Sequence, residues 1–442
     1  MSRSSRLAAG LTVLLGLVIV WMLAESFRDE PGPDILLVTV DTLRADRVSS
    51  YGHSRETTPF IDHLAQRGVR FERAYSTTSW TAPAMASMLS STYPWQHGVV
   101  TGLVRNESEV YSQPVMPDDL LSLPALLQAR GYRTFGLTAN GHLSAELGFS
   151  RGFEKFTCVG FEWLDHIEAA LADWRDELNG GPPWFLWLHI LDPHAPYMPR
   201  EPWLTSFWPR TRERHPDLDG VGPLEDLKAP GRMAYLQALY DSEIRHVDDF
   251  LRLFFLSVPR ASEAVVLFTS DHGEEFHEHG GTLHGRTLYE EVVRIPLVLK
   301  LPGDRFAGTV VDEPVSLVDV LPTLLELAGL DPPAEAAGQS LMGLASGREM
   351  EPRAIFAALS RSRKVESITL GRWKFVEDKV DKLFDLEADP GEQVNLMTAE
   401  VARGKALSAW LAAQASTGRR TSETKVVGRE ELERLRALGY VE

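Results

Sequence analysis

The 442-residue chain has almost no cysteine and no excess of basic charge. Its one cysteine, Cys158, cannot form an intrachain disulfide, and a buried thiol is the usual state of such a residue. Acidic residues (62) outnumber basic ones (45), the formal net charge is −17, and no basic run interrupts this balance. Such a chain repels nucleic acid, so we expect no nucleic-acid partner. Internal repeats and long low-complexity tracts are also absent, as in an ordinary globular protein of more than one domain.

Long apolar runs are scarce, and the exception lies at the N-terminus. Leu7 to Ala24 carries no charge and follows the basic start "MSRSSR". Its length lies between that of a signal-peptide core and that of a membrane-spanning helix. We therefore expect residues 1–30 to be a membrane anchor or a signal segment with its linker. The basic start favours a folded body outside the cytoplasm, periplasmic or extracellular, which is membrane-anchored or, if the segment is cleaved, secreted.

Short, apolar, β-branched segments predict buried strands of a parallel sheet. The clearest are Ile35–Val40, Trp184–Leu191, Ala264–Ser270 and the run that starts at Ile295. They alternate with helical patterns such as "TTPFIDHLAQRG", so we predict an α/β fold with a large, mostly parallel central sheet flanked by helices. Short strands and turns after about residue 345 predict a small C-terminal α+β subdomain. The predicted division is 31–345 for the main domain and 346–442 for the subdomain.

Carboxylates and imidazoles follow three of these apolar runs. Asp41 follows the first, Asp192 and His194 follow the second, and Asp271 and His272 follow the third. Open α/β sheets bind ligands beyond the carboxyl ends of their strands, so we expect these groups to converge on one crevice. Oxygen and imidazole ligands together suit a divalent cation. The sequence therefore predicts one metal held by Asp41, Asp271 and His272.

The stretch "STTSWTAPAMASML" places a hydroxyl at the start of a predicted helix. We expect Thr81 or Ala82 to be the N-cap, with Pro83 near the first helical position. Helix amino ends present N–H groups and positive partial charge, which suit a sulfuryl or phosphoryl group. A metal beside Thr81 would lower the pKa of its hydroxyl, as it lowers that of bound water from about 15.7 to about 7. Thr81 is thus a candidate nucleophile and metal ligand, with helix capping as the alternative role.

The segment "SDHGEEFHEHGGTLHG" is dense in histidine and acid. A zinc-peptidase motif needs two histidines one turn apart on a helix, with a glutamate between them. Gly280, Gly281 and Gly285 would interrupt any such helix. We therefore predict a glycine-rich loop from which His284 reaches the crevice.

Seven segments, in their order along the chain, resemble the sulfatase family of the alkaline phosphatase superfamily. They are "ILLVTVDTLRADRVSSYG", "SWTAPAMAS", "LDPHAPY", "TSDHGEEFHEHG", "LHGRTLYEEVVRIPLVLKLPG", "VSLVDVLPTLLELAG" and "LFDLEADPGEQVNL". The resemblance covers Ile35 to about Leu396 and implies an alkaline-phosphatase-like fold with a small C-terminal sheet subdomain. It implies one divalent metal, Ca²⁺ or Mn²⁺ with Zn²⁺ as an alternative, held by the three ligands already named. It also implies that His194 and His284 bind the sulfate or phosphate group and act catalytically at the leaving oxygen.

The nucleophile position differs from the family pattern. Sulfatases carry Cys or Ser followed by x-Pro-Ser-Arg and convert that first residue to formylglycine. Here the positions read Thr81, Ala82, Pro83, Ala84 and Met85. We expect no formylglycine, because the Cβ of threonine carries a methyl group. Met85 removes the supporting arginine, and Thr42 stands where the family often has a second acid.

These features predict a hydrolase of sulfuric, phosphoric or phosphonic esters that acts on a small-molecule, glycan or lipid ester. One alternative is a two-metal phosphodiesterase of the same superfamily, in which Asp192, His194 and His284 hold the second ion. Another is an inactive, membrane-anchored binding protein that has kept the fold. A third is a transferase that moves a phospho-headgroup to a glycan or lipid on the outer surface.

Overall fold

The computed structural model describes residues 32–101, 104–105, 111–209, 211, 214–215, 219, 231–360, 363–429 and 432–433. Pro33–Glu442 forms one compact unit by its internal contacts. The predicted boundary between 31–345 and 346–442 stays a prediction.

Strands are numbered here in chain order, and helices are named by their residues. The strands are β1 (Ile35–Val40), β2 (Val69–Phe71), β3 (Ala74–Tyr75), β4 (Val104–Arg105), β5 (Tyr111–Pro114), β6 (Arg133–Thr138), β7 (Lys155–Cys158), β8 (Trp184–Ile190), β9 (Val265–Ser270), β10 (Glu275–Phe276), β11 (Thr282–Leu283), β12 (Arg294–Ile295), β13 (Leu297–Lys300), β14 (Thr309–Val311), β15 (Val315–Ser316), β16 (Ala354–Ser360), β17 (Lys364–Leu370), β18 (Trp373–Glu377), β19 (Lys382–Asp385) and β20 (Thr424–Val426). The α-helices are Pro59–Gln66, Thr81–Ser90, Pro94–His97, Leu123–Ala129, Leu164–Ala172, Arg175–Leu178, Trp203–Phe207, Arg232–Ser257, Glu290–Val293, Val320–Leu327, Met342–Ala345 and Val401–Ala415.

The central sheet has eight strands in the order β14-β2-β13-β9-β1-β8-β6-β7. Strand β13 pairs antiparallel with both of its neighbours, and every other neighbouring pair in this sheet is parallel. The predicted alkaline-phosphatase-like α/β fold is confirmed, with a sheet that is mixed at one side.

Strand β1 shows how the two faces of the sheet are filled. Its residues alternate: Leu36 and Val38 enter one hydrophobic core, and Ile35 and Leu37 enter the other. The long helix Arg232–Ser257 covers the first face, and the helices Thr81–Ser90 and Val320–Leu327 cover the second. A strand that is buried on both faces has no polar alternation, which is why it could be predicted as an apolar run.

The C-terminal sheet has the antiparallel order β16-β17-β18-β19. One of its faces packs on helix Val401–Ala415 through Ile368, Phe375, Leu407 and Leu411. The other face turns Ile355 and Val376 toward Trp80, the residue before helix Thr81–Ser90. The second sheet therefore backs the segment that carries the candidate nucleophile.

The predicted strands agree with the observed ones to within one residue at three of the four positions. The exception is the run that was predicted to start at Ile295. Ile295 is the last residue of the short strand β12, and the next strand, β13, begins at Leu297. Pro296 separates the two because it has no N–H to donate to a ladder.

The predicted membrane-anchored location is corrected. In the part of the chain that the structure describes, no helix has both the length and the apolar character needed to cross a bilayer. The segment Leu7–Ala24, on which that prediction was based, lies outside the described residues.

Candidate active site

Two of the predicted strand ends lie side by side at the carboxyl edge of the central sheet. Strands β1 and β9 are parallel neighbours, with Val40 opposite Ser270, so Asp41 and Asp271 leave the sheet together. Both carboxylates are completely buried. This adjacency is the one that the strand-end argument predicted.

Each of these carboxylates uses one oxygen for hydrogen bonds within the protein. Asp41 Oδ2 accepts from Asn140 Nδ2 at 2.7 Å. Asp271 Oδ1 accepts from the backbone N–H groups of Thr42 and His272 at 3.0 and 2.8 Å. The second oxygens, Asp41 Oδ1 and Asp271 Oδ2, are buried and meet no hydrogen-bond donor among the described residues. Buried unpaired oxygens of two acids are costly by themselves and suit a bound cation.

His272 presents a nitrogen to both unpaired oxygens. Its Nδ1 lies 2.9 Å from the carbonyl oxygen of Gly273 and must donate there, because a carbonyl can only accept. In the neutral ring Nε2 then carries the lone pair. Nε2 lies 3.3 Å from Asp271 Oδ2 and 4.0 Å from Asp41 Oδ1. The hydrogen bond to Gly273 therefore orients a candidate ligand atom toward the two carboxylates.

The two acids differ in their pKa values. For Asp41, burial acts to raise the pKa, but the hydrogen bond to His189 and the charges of neighbouring imidazoles lower it overall. For Asp271, burial and the negative charge of Asp41 raise the pKa to about 6. Asp271 holds its proton more tightly than Asp41 does, because two neighbouring carboxylates in a buried site resist carrying negative charge at the same time. A cation between the two carboxylates would remove that resistance.

His189 is a site residue that the sequence analysis missed. Asp41, His189 and Asp271 offer ligand atoms that all lie within 4.8 Å of one another, as a metal site requires. His189 Nε2 lies 3.3 Å from Asp41 Oδ2, and its Nδ1 lies 2.8 Å from Thr39 Oγ. A signal existed, since His189 is the one ionisable residue within the apolar run "WFLWLHIL".

Thr81 lies at the first position of helix Thr81–Ser90, not at its N-cap. The prediction of Thr81 or Ala82 as the N-cap was therefore wrong: Trp80 is the N-cap, and its side chain makes no capping hydrogen bond. Capping is excluded as the role of Thr81, because its Oγ lies 3.3 Å from His272 Nε2 instead. All ten residues of the helix are buried.

His194 and His284 lie beside this cluster. The ring centroids of His284 and His272 are 4.5 Å apart, and those of His284 and His194 are 5.0 Å apart. His284 Nδ1 lies 3.1 Å from Glu274 Oε1, and the other oxygen of Glu274 accepts from Tyr197 Oη at 2.9 Å. Burial raises the pKa of Glu274 to about 7. Glu274 was not predicted; it orients His284 in the way that carboxylates orient catalytic imidazoles.

Asp192, a ligand in the two-metal alternative, is engaged elsewhere. Its Oδ1 accepts from Arg200 at 2.6 Å, and its Oδ2 accepts from the backbone N–H of Leu164 at 3.1 Å. Both oxygens are thus used within the protein, and Asp192 is not part of the group formed by Asp41, His189 and Asp271.

Met85 and Thr42 are two of the departures from the sulfatase pattern. Met85 is fully buried in the hydrophobic core, so its side chain does not take the place of a charged group in the site. Thr42 has a φ of 55°, which is rare for a β-branched residue. Its backbone is held there by two hydrogen bonds: its N–H donates to Asp271, and its carbonyl accepts from Tyr240 Oη at 2.7 Å.

Comparison with known proteins gives consistent matches. The family model described as Sulfatase matches residues 33–330, and one described as N-sulphoglucosamine sulphohydrolase, C-terminal, matches residues 277–414. The chain is 25% identical to a Δ4,5-hexuronate-2-O-sulfatase of Bacteroides thetaiotaomicron, covering 82% of this chain and 84% of the relative. It is 27% identical to a choline-sulfatase of Rhizobium meliloti, covering 86% and 85%.

Solved structures agree on the fold. The phosphonate monoester hydrolase of Agrobacterium radiobacter has a TM-score of 0.71 and 21% identity, covering 87% of this chain and 96% of that one. A protein solved with its substrate D-glucosamine-2-N,6-O-disulfate has a TM-score of 0.73 and 19% identity, covering 87% and 97%. The chain therefore belongs to the sulfatase family of the alkaline phosphatase superfamily and is an ester-bond hydrolase.

Proposed function

We propose that this protein hydrolyses sulfate, phosphate or phosphonate esters with Thr81 as the nucleophile and one divalent cation as the cofactor. The observation that carries the proposal is the position of Thr81 Oγ, 3.3 Å from His272 Nε2. That nitrogen also faces the unpaired oxygens of Asp41 and Asp271. A hydroxyl, an imidazole lone pair and two carboxylate oxygens thus converge on one buried place.

The donor set supports one cation held by Asp41 Oδ1, Asp271 Oδ2 and His272 Nε2, with Thr81 Oγ beside them. His189 contacts the opposite oxygen of Asp41, so we assign it to positioning that carboxylate. Two carboxylates with one imidazole suit Ca²⁺ or Mn²⁺, and Zn²⁺ is the alternative. A cation bound there supplies positive charge that lowers the pKa of the hydroxyl and polarises the ester.

In the first step Thr81 Oγ gives up its proton to solvent and attacks the sulfur or phosphorus atom. A Thr–O–S or Thr–O–P bond forms, and the bond to the alcohol oxygen breaks. The departing oxygen takes a proton from His284, whose other nitrogen is held by Glu274. We assign to His194, whose ring packs edge-on against that of His284, the role of donating to the transferred group. Proton donation of this kind contributes about 10²–10⁴-fold in rate.

In the second step water attacks the same sulfur or phosphorus atom and passes a proton to His284. The bond to Thr81 Oγ breaks, the inorganic anion leaves, and Thr81 Oγ takes a proton back from solvent. Because threonine cannot form an aldehyde hydrate, its covalent ester must be released by hydrolysis. The intermediate is therefore an ester of threonine.

The substrate class rests on the relatives. Their names include sulfatases of a hexuronate and of choline and a phosphonate monoester hydrolase. We infer an ester of a small molecule or of a glycan unit as the substrate of this chain.

The test is a panel of aryl sulfate, phosphate monoester, phosphate diester and phosphonate, with purified protein, with and without added Mn²⁺, Ca²⁺ or Zn²⁺. We expect Thr81→Ala to lower turnover by about 10⁴-fold or more, as removal of a nucleophile does. Ser90→Ala is the matched control, since Ser90 is a buried hydroxyl at the far end of the same helix. Quenched reactions should carry one sulfuryl or phosphoryl group on Thr81. Full activity of Thr81→Ala on the cleaved ester would overturn the proposal.

A further inference from the structure

Tyr197 is a buried residue of the loop after strand β8, and the proposed function leaves it without a role. Its hydroxyl donates to Glu274, the carboxylate that holds His284. We propose that Tyr197 is a positioning residue for His284, and that Glu243 is a positioning residue for the loop that carries Tyr197. The inference rests on the proposed function, in which His284 protonates the departing oxygen.

Glu274 uses its two oxygens for two different partners. Oε1 lies 3.1 Å from His284 Nδ1, and Oε2 accepts from Tyr197 Oη at 2.9 Å. The last side-chain torsion of a glutamate has a broad minimum, so one contact does not fix the plane of its carboxylate. All three side chains are buried, so water cannot easily replace the tyrosine hydroxyl. The contact from Tyr197 therefore fixes the direction in which Glu274 holds the imidazole.

Two other aromatic rings hold the ring of Tyr197. Its centroid lies 5.7 Å from that of Tyr240, edge-on, and 5.9 Å from that of Phe276. Tyr240 and Phe276 also contact each other, with centroids 5.0 Å apart. These are distances of ordinary aromatic packing. The hydroxyl of Tyr197 thus has a direction that is set by the protein core, as the proposed role requires.

Glu243 holds the loop from the long helix that covers one face of the central sheet. It is fully buried, and its Oε1 accepts from the backbone N–H of Met198, the residue after Tyr197, at 3.1 Å. The neighbouring Ser242 Oγ accepts from the backbone N–H of Arg200 at 3.3 Å. Two consecutive helix residues therefore fix the backbone of the loop immediately after Tyr197.

The contribution of Glu243 is a hydrogen-bond acceptor and not a charge. Arg200 is closer to Asp192, with Nη2 2.6 Å from Oδ1, than to Glu243, where Nε lies 3.8 Å from Oε1. Burial, and then the negative charge of Asp192, raise the pKa of Glu243 well above its usual range. A neutral side chain with the same oxygen should therefore replace it, and glutamine is such a side chain.

The test compares two aryl esters that depend to different degrees on proton donation. 4-Nitrophenolate is a weak base and leaves without a proton, whereas phenolate is more basic and leaves faster when His284 protonates it. The measured quantity is kcat/KM, which reports cleavage of the ester and not later hydrolysis of the threonine ester. With the anion that the panel selects, Tyr197→Phe and Glu243→Met should lower kcat/KM for the phenyl ester by about tenfold or more, and for the 4-nitrophenyl ester by less than about threefold.

Three further variants are the controls. Tyr132→Phe removes the hydroxyl of another buried tyrosine, which donates to a backbone carbonyl just before strand β1. Asp248→Leu removes a buried acid of the same helix, which accepts from the N–H groups of Phe60 and Ile61. Both should leave the ratio of the two kcat/KM values unchanged, even where stability falls. Glu243→Gln should restore that ratio to the wild-type value.

Two kinetic results would contradict the inference while leaving the proposed function intact. Equal losses on the two esters, or no loss on either, in Tyr197→Phe would overturn the role of Tyr197. A wild-type ratio in Glu243→Met would overturn the role of Glu243.

A readout without turnover separates the two proposals. In protein labelled with ¹⁵N-histidine, the Nδ1–H of His284 held by Glu274 should give a downfield proton signal, which His284→Gln identifies by its loss. We expect Tyr197→Phe and Glu243→Met to shift or broaden this signal and Tyr132→Phe to leave it unchanged. If the protein cleaves no ester, the proposed function fails, and this signal still decides the positioning. An unchanged signal in both variants, or no such signal in the wild-type protein, would overturn the inference.

Discussion

Two largely buried clusters of charge among the described residues solve the problem of burial differently. In one, Lys374 Nζ lies 2.9 Å from Glu290 and 3.0 Å from Glu392, and it ties the C-terminal sheet to helix Glu290–Val293. In the other, Asp41 and Asp271 each keep an oxygen that no donor among the described residues satisfies. The first cluster contains its own cation, while the second needs one from outside. A buried ion pair of the first kind is structural, and a buried deficit of the second kind indicates a ligand.

The largest expected effect concerns the first cluster, formed by Lys374, Glu290 and Glu392. Lys374→Met leaves Glu290 and Glu392 buried without their cation, so we expect a loss of about 3–5 kcal/mol in the free energy of unfolding. Urea unfolding followed by tryptophan fluorescence measures it. Lys364→Met is the control, because its half-exposed pair with Glu366 is worth at most about 1 kcal/mol. Equal losses in the two variants would mean that the buried Lys374 cluster contributes no more to stability than the exposed pair does.

The same cluster predicts a dependence of stability on pH. Burial raises the pKa of Glu392 to about 7, although Lys374 opposes this change. A raised pKa means that the folded protein holds this proton more tightly than the unfolded chain does. The contribution is fully present below the ordinary pKa, 4.5, and is lost as pH rises through about 7. We expect a decrease of up to about 3 kcal/mol from this group between pH 4.5 and 8, at about 1.4 kcal/mol per pKa unit.

Unfolding free energies at pH 5, 6.5 and 8 test this prediction. Glu392→Gln should flatten the curve over this range. A curve of unchanged slope in that variant would assign the pH dependence to other groups.

In the second cluster, which contains Asp41 and Asp271, one substitution should affect metal affinity and stability differently. Asp271→Asn removes a proposed ligand, so metal affinity and turnover should fall by about 100-fold, at least as much as for loss of a group that only orients a ligand. Without metal its stability should be unchanged or higher, because one of two mutually repelling carboxylates is gone. Calorimetric titration with Mn²⁺ and thermal unfolding with and without chelator measure both.

Asp192→Asn is the matched control for that variant. Asp192 is also a buried acid at a strand end, but Arg200 already satisfies it. We expect lower stability and unchanged metal affinity. A loss of metal affinity in Asp192→Asn would favour the two-metal alternative instead.

The smallest expected effect concerns Thr39, which contacts His189 beside the second cluster. Thr39 Oγ contacts His189 Nδ1 at 2.8 Å and accepts from Trp187 Nε1 at 3.0 Å. Thr39→Val removes both interactions and frees the ring that contacts Asp41. We expect metal affinity to fall by about tenfold. Thr138→Val, which removes a buried hydroxyl from strand β6, is the control and should leave metal affinity unchanged.

The sequence was sufficient to predict the elements that depend on local pattern. Strand β1 was predicted to the residue because both of its faces are buried, and the neighbouring positions of Asp41 and Asp271 could be predicted because polar groups at the ends of apolar runs are conspicuous. The family segments supported the fold as a whole. These features do not require knowledge of how distant parts of the chain meet.

What could not be predicted depends on such distant contacts. His189 lies inside an apolar run, and its role follows only from the pairing of Thr39 with His189 between β1 and β8. Asp192 has the same sequence signal as Asp41, yet its two oxygens accept hydrogen bonds from Arg200 and from the N–H of Leu164. Trp80 replaces the expected polar N-cap because its backbone conformation, and not a side-chain hydrogen bond, begins the helix.

The helix that presents Thr81 is buried at all ten of its residues, from Thr81 to Ser90, and packs in the core between the central sheet and neighbouring helices. Such a helix has no freedom to follow the substrate. We therefore expect changes of substrate, during evolution or by engineering, to occur in loops around the site, which can be exchanged without moving the proposed nucleophile.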